Sequence, residues 1–318
     1  MTKLLLSVVI AVGVILTSSF GFNKTPDDST VKYTTEYVIV LVIDGPRFTE
    51  TFGDSTYKYI PHLGNELKRE GVLLSNFRNN GPTYTISGHS AIISGRYQHL
   101  SNAGKQFPKY PSMFQYYLKE KAVPKTDAWV ISSKGKLEVL GNTTYKKWQN
   151  VFKPCTYCGL NGNGADYTGD QETFDKVKDV LSSEKPPHLM LINLLAADSY
   201  AHSKEWDRYL RSIQQCDDYA FQLWNLIQSN EKLKDKTTLL ITNDHGRHLD
   251  GHKDGYISHG DNCEGCRHIS LLAIGPDFKK NVESKNCAEQ LDISKTISEI
   301  LHFSMPTGKG RVLKELFK

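Results

Sequence analysis

Residues 37–45 read Tyr-Val-Ile-Val-Leu-Val-Ile-Asp-Gly, an apolar run that ends directly in a carboxylate and a glycine. A short, largely β-branched run of this kind predicts a strand that is buried on both faces, as in the centre of a parallel sheet. Similar runs predict further strands at 128–132, 189–195, 238–242 and 270–274.

Amphipathic segments alternate with these apolar runs. The longest, 205–229, repeats apolar residues every three to four positions and predicts a long packing helix. Shorter helices are predicted at 61–70 (ending at Gly71), 86–94 (ending at Gly95), 111–121, 170–183 and 290–301. This alternation predicts an α/β fold with a mostly parallel sheet and helices on both faces. The Cys- and Gly-rich residues at about 141–169 predict an irregular insertion and not a second domain.

The N-terminal segment predicts export. Lys3 precedes a run over 4–16 that is apolar except for Ser7, which is typical of a secretory signal peptide covering 1–22. The mature protein, 23–318, is then expected to be a single domain that is periplasmic or secreted. The apolar character extends to Phe22, so an uncleaved membrane anchor stays open as the alternative, and membrane contact is expected only in that case.

The charge pattern disfavours a nucleic-acid polymer as the partner. The chain has 39 Lys and Arg against 35 Asp and Glu, a formal net charge of +4, and both signs are mixed along its length. A chain without a basic stripe is better suited to a small anionic ligand than to a polyanion.

Six cysteines form an even set that includes two C-x-x-C pairs. They are Cys155, Cys158, Cys216, Cys263, Cys266 and Cys287. Export permits disulfides, which we favour, but the two pairs can also form a four-thiolate zinc site, and free thiols are a third alternative.

Three of the apolar runs are followed by an aspartate, namely Asp44, Asp198 and Asp244. Ligands of open α/β sheets bind beyond the carboxyl ends of the strands, so three such carboxylates can converge on one site. Each aspartate taken alone is better explained as a helix cap or a loop residue.

Histidines accompany these carboxylates. Imidazole nitrogen together with carboxylate oxygen suits zinc. The residues divide into two triplets, one of Asp198, His202 and His259, and one of Asp44, Asp244 and His245.

Thr85 is the candidate nucleophile. The segment 81–95 places it at the start of a helix, where we expect an exposed hydroxyl. Metal coordination and the helix N-terminus would both favour its alkoxide. Without metal ligands nearby, a simple N-cap would be the better interpretation.

The motifs that carry this chemistry, taken in order, resemble those of the alkaline phosphatase superfamily. They are Asp44-Gly45, Pro82-Thr83-Tyr84-Thr85 with His89, Asp198 with His202, Asp244-His245-Gly246 and His259-Gly260-Asp261-Asn262. The match is best to the nucleotide pyrophosphatase/phosphodiesterase branch and to threonine-dependent phosphatases. The resemblance implies a three-layer α/β/α sandwich and two zinc ions, or other divalent metals. It also implies a phosphothreonine intermediate formed from a small phosphate ester.

Weaker candidates surround this set. His89 is better explained as a hydrogen-bonding residue than as a ligand, and Asn102 is a candidate phosphoryl donor on a loose match. Lys134 and Lys136 follow a predicted strand and resemble a Lys-x-Arg pair that threonine-dependent phosphomonoesterases direct at the phosphoryl group, although two solvated lysines in a turn are the alternative. This pair favours a phosphomonoesterase over a phosphodiesterase.

Two further functions remain as minor alternatives. A sulfatase would share the fold, but sulfatases need a modified Cys or Ser in a Cys/Ser-x-Pro-x-Arg motif, where this chain has Thr85-Ile86-Ser87-Gly88-His89. A catalytically silent zinc-binding protein is the alternative from a different class.

Overall fold

Within residues 31–318, which the structure, a computed structural model, describes, nine strands form one sheet. The strands are β1 (Tyr37–Ile43), β2 (Gly71–Arg78), β3 (Ala128–Ser132), β4 (Cys155–Cys158), β5 (Leu189–Leu194), β6 (Thr237–Thr242), β7 (His268–Ile274), β8 (Val282–Ser284) and β9 (Ala288–Glu289). The helices are α1 (Pro61–Asn65), α2 (Thr85–Ser94), α3 (Met113–Lys121), α4 (Asp170–Leu181), α5 (Ala196–His202), α6 (Trp206–Ser229), α7 (Glu264–Arg267) and α8 (Leu291–Ile300).

The strand order is β4-β3-β5-β1-β6-β7-β2-β8, and β9 pairs with β2. Strand β7 runs antiparallel to its neighbours β6 and β2, and the other pairings are parallel. The mostly parallel sheet predicted from the sequence is therefore confirmed. Its central strands β5, β1 and β6 end at the same edge, which brings the residues that follow them close together.

Alternate side chains of β1 enter two separate hydrophobic cores. Val40 packs in the core that contains Ile92 of α2 and Ile297 of α8, and Leu41 packs in the core that contains Phe174 of α4. Successive side chains of a strand point to opposite faces, so a run without polar residues needs a helical layer on each side. The predicted α/β class, with helices on both faces, is confirmed.

Four strands were missed by the sequence interpretation, namely β2, β4 and the short edge strands β8 and β9. The predicted helix 61–70 is in fact the short α1 followed by a 3-10 turn, Leu67–Glu70, and β2 begins directly at Gly71. The insertion 141–169 is not wholly irregular, because its strand β4 extends the sheet by pairing with β3. Neither segment alternates apolar and polar residues clearly, so the pairing partner and not the local pattern decides the structure.

The favoured disulfide interpretation of the cysteines is wrong in this structure, where all six are free thiols. Cys155 and Cys158 lie three residues apart on β4, so their side chains point to opposite faces of the sheet and cannot meet. The alternative of a four-thiolate site does not form either, since Cys263 and Cys266 lie at α7 and group with His248 and Asp261.

Residues 33–318 form one compact unit. The signal peptide predicted over 1–22 lies outside the described residues, and the domain boundaries drawn from it stay a prediction. Among residues 31–318, the helices are too short or too polar to cross a membrane.

Helix α2 lies against the end of β6 with almost no gap. A Cβ atom added at Gly88 would come within 2.4 Å of the Asp244 carbonyl oxygen, which belongs to the backbone and cannot turn away. The absence of a side chain at this position therefore sets how closely the helix that begins at Thr85 approaches the strand end that carries Asp244.

We predict that Gly88→Ala destabilises the protein. Helix propensity alone would favour alanine by about 1 kcal/mol, whereas overpacking against rigid backbone costs ~1–3 kcal/mol. The free energy of unfolding from denaturant titration should therefore fall. An increase would show that propensity decides at this position and that the contact with Asp244 is not a close one.

Candidate functional site

The structure brings the three predicted aspartates together at the carboxyl edge of the sheet. Asp44 directly follows β1, Asp198 lies in the first turn of α5 after β5, and Asp244 follows β6 by two residues. All three side chains are buried. The ammonium group of Lys134 lies between two of them, with its Nζ 2.9 Å from Asp44 Oδ1 and 2.6 Å from Asp198 Oδ2.

One predicted ligand triplet is assembled as a group. The Nε2 atoms of His202 and His259 lie 3.1 Å apart, and they lie 3.2 and 3.5 Å from Asp198 Oδ1, respectively. His259 Nδ1 donates to the carbonyl oxygen of Thr83 at 2.7 Å, which leaves the Nε2 lone pair free on the side of Asp198. Such a partner on the far nitrogen is the usual arrangement behind a metal-binding histidine.

The second predicted triplet is fully buried. His245 Nε2 lies 3.3 Å from Asp244 Oδ2 and 3.7 Å from Asp44 Oδ1, and none of these three atoms makes a hydrogen bond. The contact of Asp44 Oδ1 with Lys134 lacks hydrogen-bond geometry. Buried polar atoms without partners are costly. A divalent cation would satisfy such atoms. Members of this triplet lie within 4.8 Å of one another in two other groups, Asp44 with His89 and Asp244, and Asp44 with Asp198 and His245.

Burial and neighbouring charges shift the pKa values of these groups in different directions. Burial and the charge of Asp244 raise the pKa of Asp44 to about 6. Burial also opposes ionisation of Asp244, but His245 and His89 hold the pKa of that carboxyl well below its usual range. Burial lowers the pKa of His245. A neutral imidazole beside ionised carboxylates is the form that binds metals.

Thr85 is the first residue of α2, as the sequence predicts, but its side chain is buried at 1% exposure and not exposed as expected. Its Oγ1 lies 3.4 Å from Lys134 Nζ. Asn102 also reaches this helix end, because its Oδ1 accepts from the Ile86 backbone N–H at 3.1 Å. A hydroxyl at a helix N-terminus beside an ammonium group lies in a positive field.

The two candidate lysines differ in their surroundings. Burial opposes the charge on Lys134, but Asp198 and Asp44 raise its pKa above the ordinary value, so it is a buried ammonium. Burial and the charge on Lys134 lower the pKa of Lys136, which the three site carboxylates partly offset. Neither is the solvated turn lysine of the alternative interpretation.

His89 uses both of its ring nitrogens. Nδ1 donates to the Thr85 carbonyl oxygen at 2.8 Å and lies 3.3 Å from Asp244 Oδ2, and Nε2 accepts from Asn193 Nδ2 at 3.2 Å. No lone pair is left for a cation. The geometry matches the interpretation of His89 as a hydrogen-bonding residue.

Two residues of the site were missed by the sequence interpretation. Arg247 is fully buried, donates to Asp198 Oδ1 at 2.5 Å, and is held by the carbonyl oxygens of Tyr256 and Ile257. Asn193 donates to Asp44 Oδ2 at 3.0 Å from within the apolar strand β5. A polar residue within an apolar strand is a sequence signal that could have identified Asn193. No comparable signal in the sequence marks Arg247.

Comparisons with known proteins give a family and several structural neighbours. The sequence model of the family described as Sulfatase matches residues 36–303. No curated protein matches the sequence of this chain. Solved structures with the same fold include three bacterial proteins at low sequence identity.

The first is a Bacteroides thetaiotaomicron protein from work on glycosaminoglycan metabolism (TM-score 0.65, 12% identity, covering 89% of this chain and 76% of that one). The second is a Vibrio parahaemolyticus protein in the alkaline phosphatase superfamily (TM-score 0.63, 15% identity, covering 91% of this chain and 72% of that one). The third is a phosphonate monoester hydrolase from Silicibacter pomeroyi (TM-score 0.63, 12% identity, covering 88% of this chain and 76% of that one). At these identities the likeness shows the fold alone.

We predict that His259→Ala lowers the bound divalent metal by one ion per chain and leaves the rest, because it deletes a ligand of a single triplet. The measurement is metal content per chain by mass spectrometry after dialysis. His188→Ala is the matched control, since that histidine pairs with Asp127 away from the site. An unchanged metal content in His259→Ala would contradict the triplet.

Proposed function

The chain belongs to the Sulfatase family and is a hydrolase of the alkaline phosphatase superfamily, as its motifs predicted, and on this premise we propose that it hydrolyses phosphate monoesters with Thr85 as the nucleophile. The observation that carries the proposal is the position of Thr85. Its Oγ1 lies at the N-terminus of α2, 3.4 Å from the buried ammonium group of Lys134.

This position addresses the weakness of threonine as a nucleophile. A hydroxyl is a good nucleophile only as its alkoxide, and nearby positive charge favours that form. Lys134 supplies a positive charge that its ion pairs with Asp44 and Asp198 keep in position. The first turn of α2 adds the favourable field of the helix dipole. Thr85 is therefore favoured over any other hydroxyl near the three aspartates.

The donor set fits two divalent cations, zinc by ligand type. Asp198, His202 and His259 would hold one ion, and Asp44, Asp244 and His245, with Thr85, would hold the other. Bound there, the ions would supply Lewis-acid stabilisation of negative charge and would favour the Thr85 alkoxide. The buried atoms of Asp44, Asp244 and His245 that make no hydrogen bond support this assignment.

The charges of the site favour a dianionic substrate. Three buried carboxylates face the buried cations Lys134 and Arg247, so these five groups carry one net negative charge. Two divalent ions would change this to three net positive charges, or two once Thr85 is ionised, and a charged Lys136 would add one more. A phosphate monoester carries up to two negative charges, whereas a diester or a sulfate ester carries one, so the monoester balances the site best.

In this proposal Lys136 and Asn102 complete phosphoryl binding. Lys136 is largely buried beside the positive charge of Lys134, which lowers its pKa, and an anion between the two lysines would relieve that repulsion. The Asn102 side chain is anchored at the helix end beside Thr85 through its Oδ1, so its amide N–H groups are free to donate.

The reaction then has two steps. Thr85 loses its hydroxyl proton to water and its Oγ1 attacks phosphorus, the bond from phosphorus to the alcohol oxygen breaks, and the alcohol oxygen takes a proton back from water as it leaves. A water molecule then attacks the phosphothreonine and gives up a proton, the bond from phosphorus to Oγ1 breaks, phosphate leaves, and Thr85 Oγ1 takes up that proton. Lys134, Lys136 and Asn102 hold the non-bridging oxygens throughout.

A phosphodiesterase or nucleotide pyrophosphatase is the second candidate. The observation that favours it is a cavity of about 490 Å³ whose lining includes Tyr84, the residue before Thr85, with Tyr97, His99 and Arg267 among others. Tyr84 directly precedes Thr85 and is 41% exposed, so it can stack against a second organic group. A sulfatase activity is disfavoured, since Thr85-Ile86-Ser87-Gly88-His89 lacks the Cys/Ser-x-Pro-x-Arg pattern.

We predict that Thr85→Ala lowers kcat on an aryl phosphate by roughly 10⁴-fold or more, as removal of a nucleophile does, while circular dichroism and metal content stay close to wild type. Thr85→Ser should retain phosphatase activity, because it keeps the attacking oxygen. Acid quenching during turnover should trap phosphate on Thr85 in the wild type. Near-normal turnover by Thr85→Ala would refute the assignment and would leave a zinc-binding or differently acting protein.

We also predict that Lys136→Ala lowers kcat/KM for monoesters by about 10²–10³-fold and spares diesters, because it leaves Lys134 paired with Asp44 and Asp198. Adding Lys134→Ala should lower kcat/KM for both ester classes, since Lys134 also favours the Thr85 alkoxide. Lys105→Ala, an exposed lysine of the neighbouring loop, is the control. A panel of monoesters, diesters, phosphonates and sulfate esters gives the measurement, and an equal loss on monoesters and diesters in Lys136→Ala would show that Lys136 does not set the preference.

A further inference from the structure

A second group of metal-ligand side chains lies next to the proposed active site and takes no part in it. His248, Asp261, Cys263 and Cys266 offer one nitrogen, one oxygen and two sulfur atoms that all lie within 4.8 Å of one another. We propose that these four residues form a structural zinc site.

The ligand types and their spacing suit a closed tetrahedral site. Two cysteines of a C-x-x-C pair with a histidine and a carboxylate are ligands that zinc takes, and a full set of four protein ligands is the mark of a structural site. Zinc–nitrogen and zinc–oxygen bonds of roughly 2.0–2.1 Å place such ligands about 3.3 Å apart in a tetrahedron. His248 Nε2 lies 3.4 Å from Asp261 Oδ2.

The orientation of His248 points independently to a ligand. Its Nδ1 donates to Asp254 Oδ1 at 2.8 Å, which fixes the tautomer and leaves the lone pair on Nε2. This Nε2 atom is buried and has no hydrogen-bond partner, and the whole side chain is 3% exposed. A carboxylate behind one ring nitrogen and a free lone pair on the other is the arrangement that supports a bound metal.

The backbone around the group is built for close approach. Gly246 N donates to the Cys266 carbonyl oxygen, and a Cβ atom at Gly265 would lie 2.3 Å from the Arg247 carbonyl oxygen. The segments that carry His248 and the C-x-x-C pair therefore run directly against each other. Cys263 caps α7, and its Sγ accepts from the Cys266 backbone N–H, which holds the two cysteines close together.

The charges around the group also balance. Two thiolates and one carboxylate would exceed the charge of a divalent ion by one. Lys253 Nζ lies 2.7 Å from Asp261 Oδ2 and supplies the compensating charge, and His252 Nε2 lies 2.9 Å from the same oxygen. The site is thus neutral with one zinc ion bound.

Such a site would fasten the loop that carries His259. His248 and the group of Asp261, Cys263 and Cys266 lie on either side of His259 in sequence, so one ion would close the loop around it. The Asp261 carbonyl oxygen accepts from Thr83 Oγ1 at 2.8 Å, and His259 donates to the Thr83 carbonyl oxygen. The ion would thereby hold His259 and the segment that leads to Thr85 in place.

Cobalt substitution of the full-length protein tests this site apart from the proposed catalytic one. Thiolate bound to Co²⁺ gives an intense near-ultraviolet charge-transfer band, and the proposed catalytic triplets contain no thiol. We expect the band in the wild type, its loss in Cys263→Ser and in Cys266→Ser, and its persistence in His202→Ala. Cys287→Ser, which changes an exposed cysteine, is the matched control and should keep the band.

Alkylation mapping gives a second measurement that needs no variant. In the zinc-loaded wild type, Cys263 and Cys266 should be protected from iodoacetamide and should become reactive after chelation, while Cys287 reacts in both states. A wild type without the band, a band that survives Cys263→Ser, or a disulfide between Cys263 and Cys266 in the purified protein would overturn the proposal. None of these outcomes bears on whether Thr85 acts as the nucleophile.

Discussion

The repulsion among three buried carboxylates is the constraint on which the rest of this structure depends. Asp44, Asp198 and Asp244 are removed from water at one edge of the sheet. Burying a single charge costs several kcal/mol unless an opposite charge and hydrogen bonds compensate it. The fold therefore directs Lys134 and Arg247 at Asp198, and Lys134 at Asp44 as well. The one remaining net negative charge of these groups favours the binding of cations at the site.

That constraint explains features that would otherwise weaken the fold. Asn193 interrupts an apolar strand in order to donate to Asp44, and Arg247 is fully buried with its guanidinium group held by backbone carbonyl oxygens. Each of these residues would be a liability in an ordinary core. Around the three aspartates, each satisfies an acceptor that has no access to water.

The site combines rigid and loop-borne parts. Asp44, Asp244 and Thr85 lie at the ends of regular elements, and the contact of Gly88 with the Asp244 backbone sets the distance between α2 and β6. His259, in contrast, comes from a long connection between β6 and β7 and depends on contacts such as that with Thr83. The cavity beside Tyr84 is lined in part by the same connection. In the proposed function, the reacting groups are thus anchored in the sheet and the loops select the substrate, as in many α/β enzymes.

The sequence by itself determined the fold class and the candidate site residues. Apolar runs such as 37–43 report buried strands because a strand covered on both faces excludes polar side chains along its length, and the aspartates that follow them mark one edge of the sheet. It did not determine the strands β2 and β4, since their pairing partners lie far away along the chain. Only the tertiary structure decided that Thr85 is buried, that Lys134 lies between two carboxylates and that Arg247 joins them. It also placed His248 beside Cys263 and Cys266, because burial and charge pairing arise between residues that the sequence keeps apart.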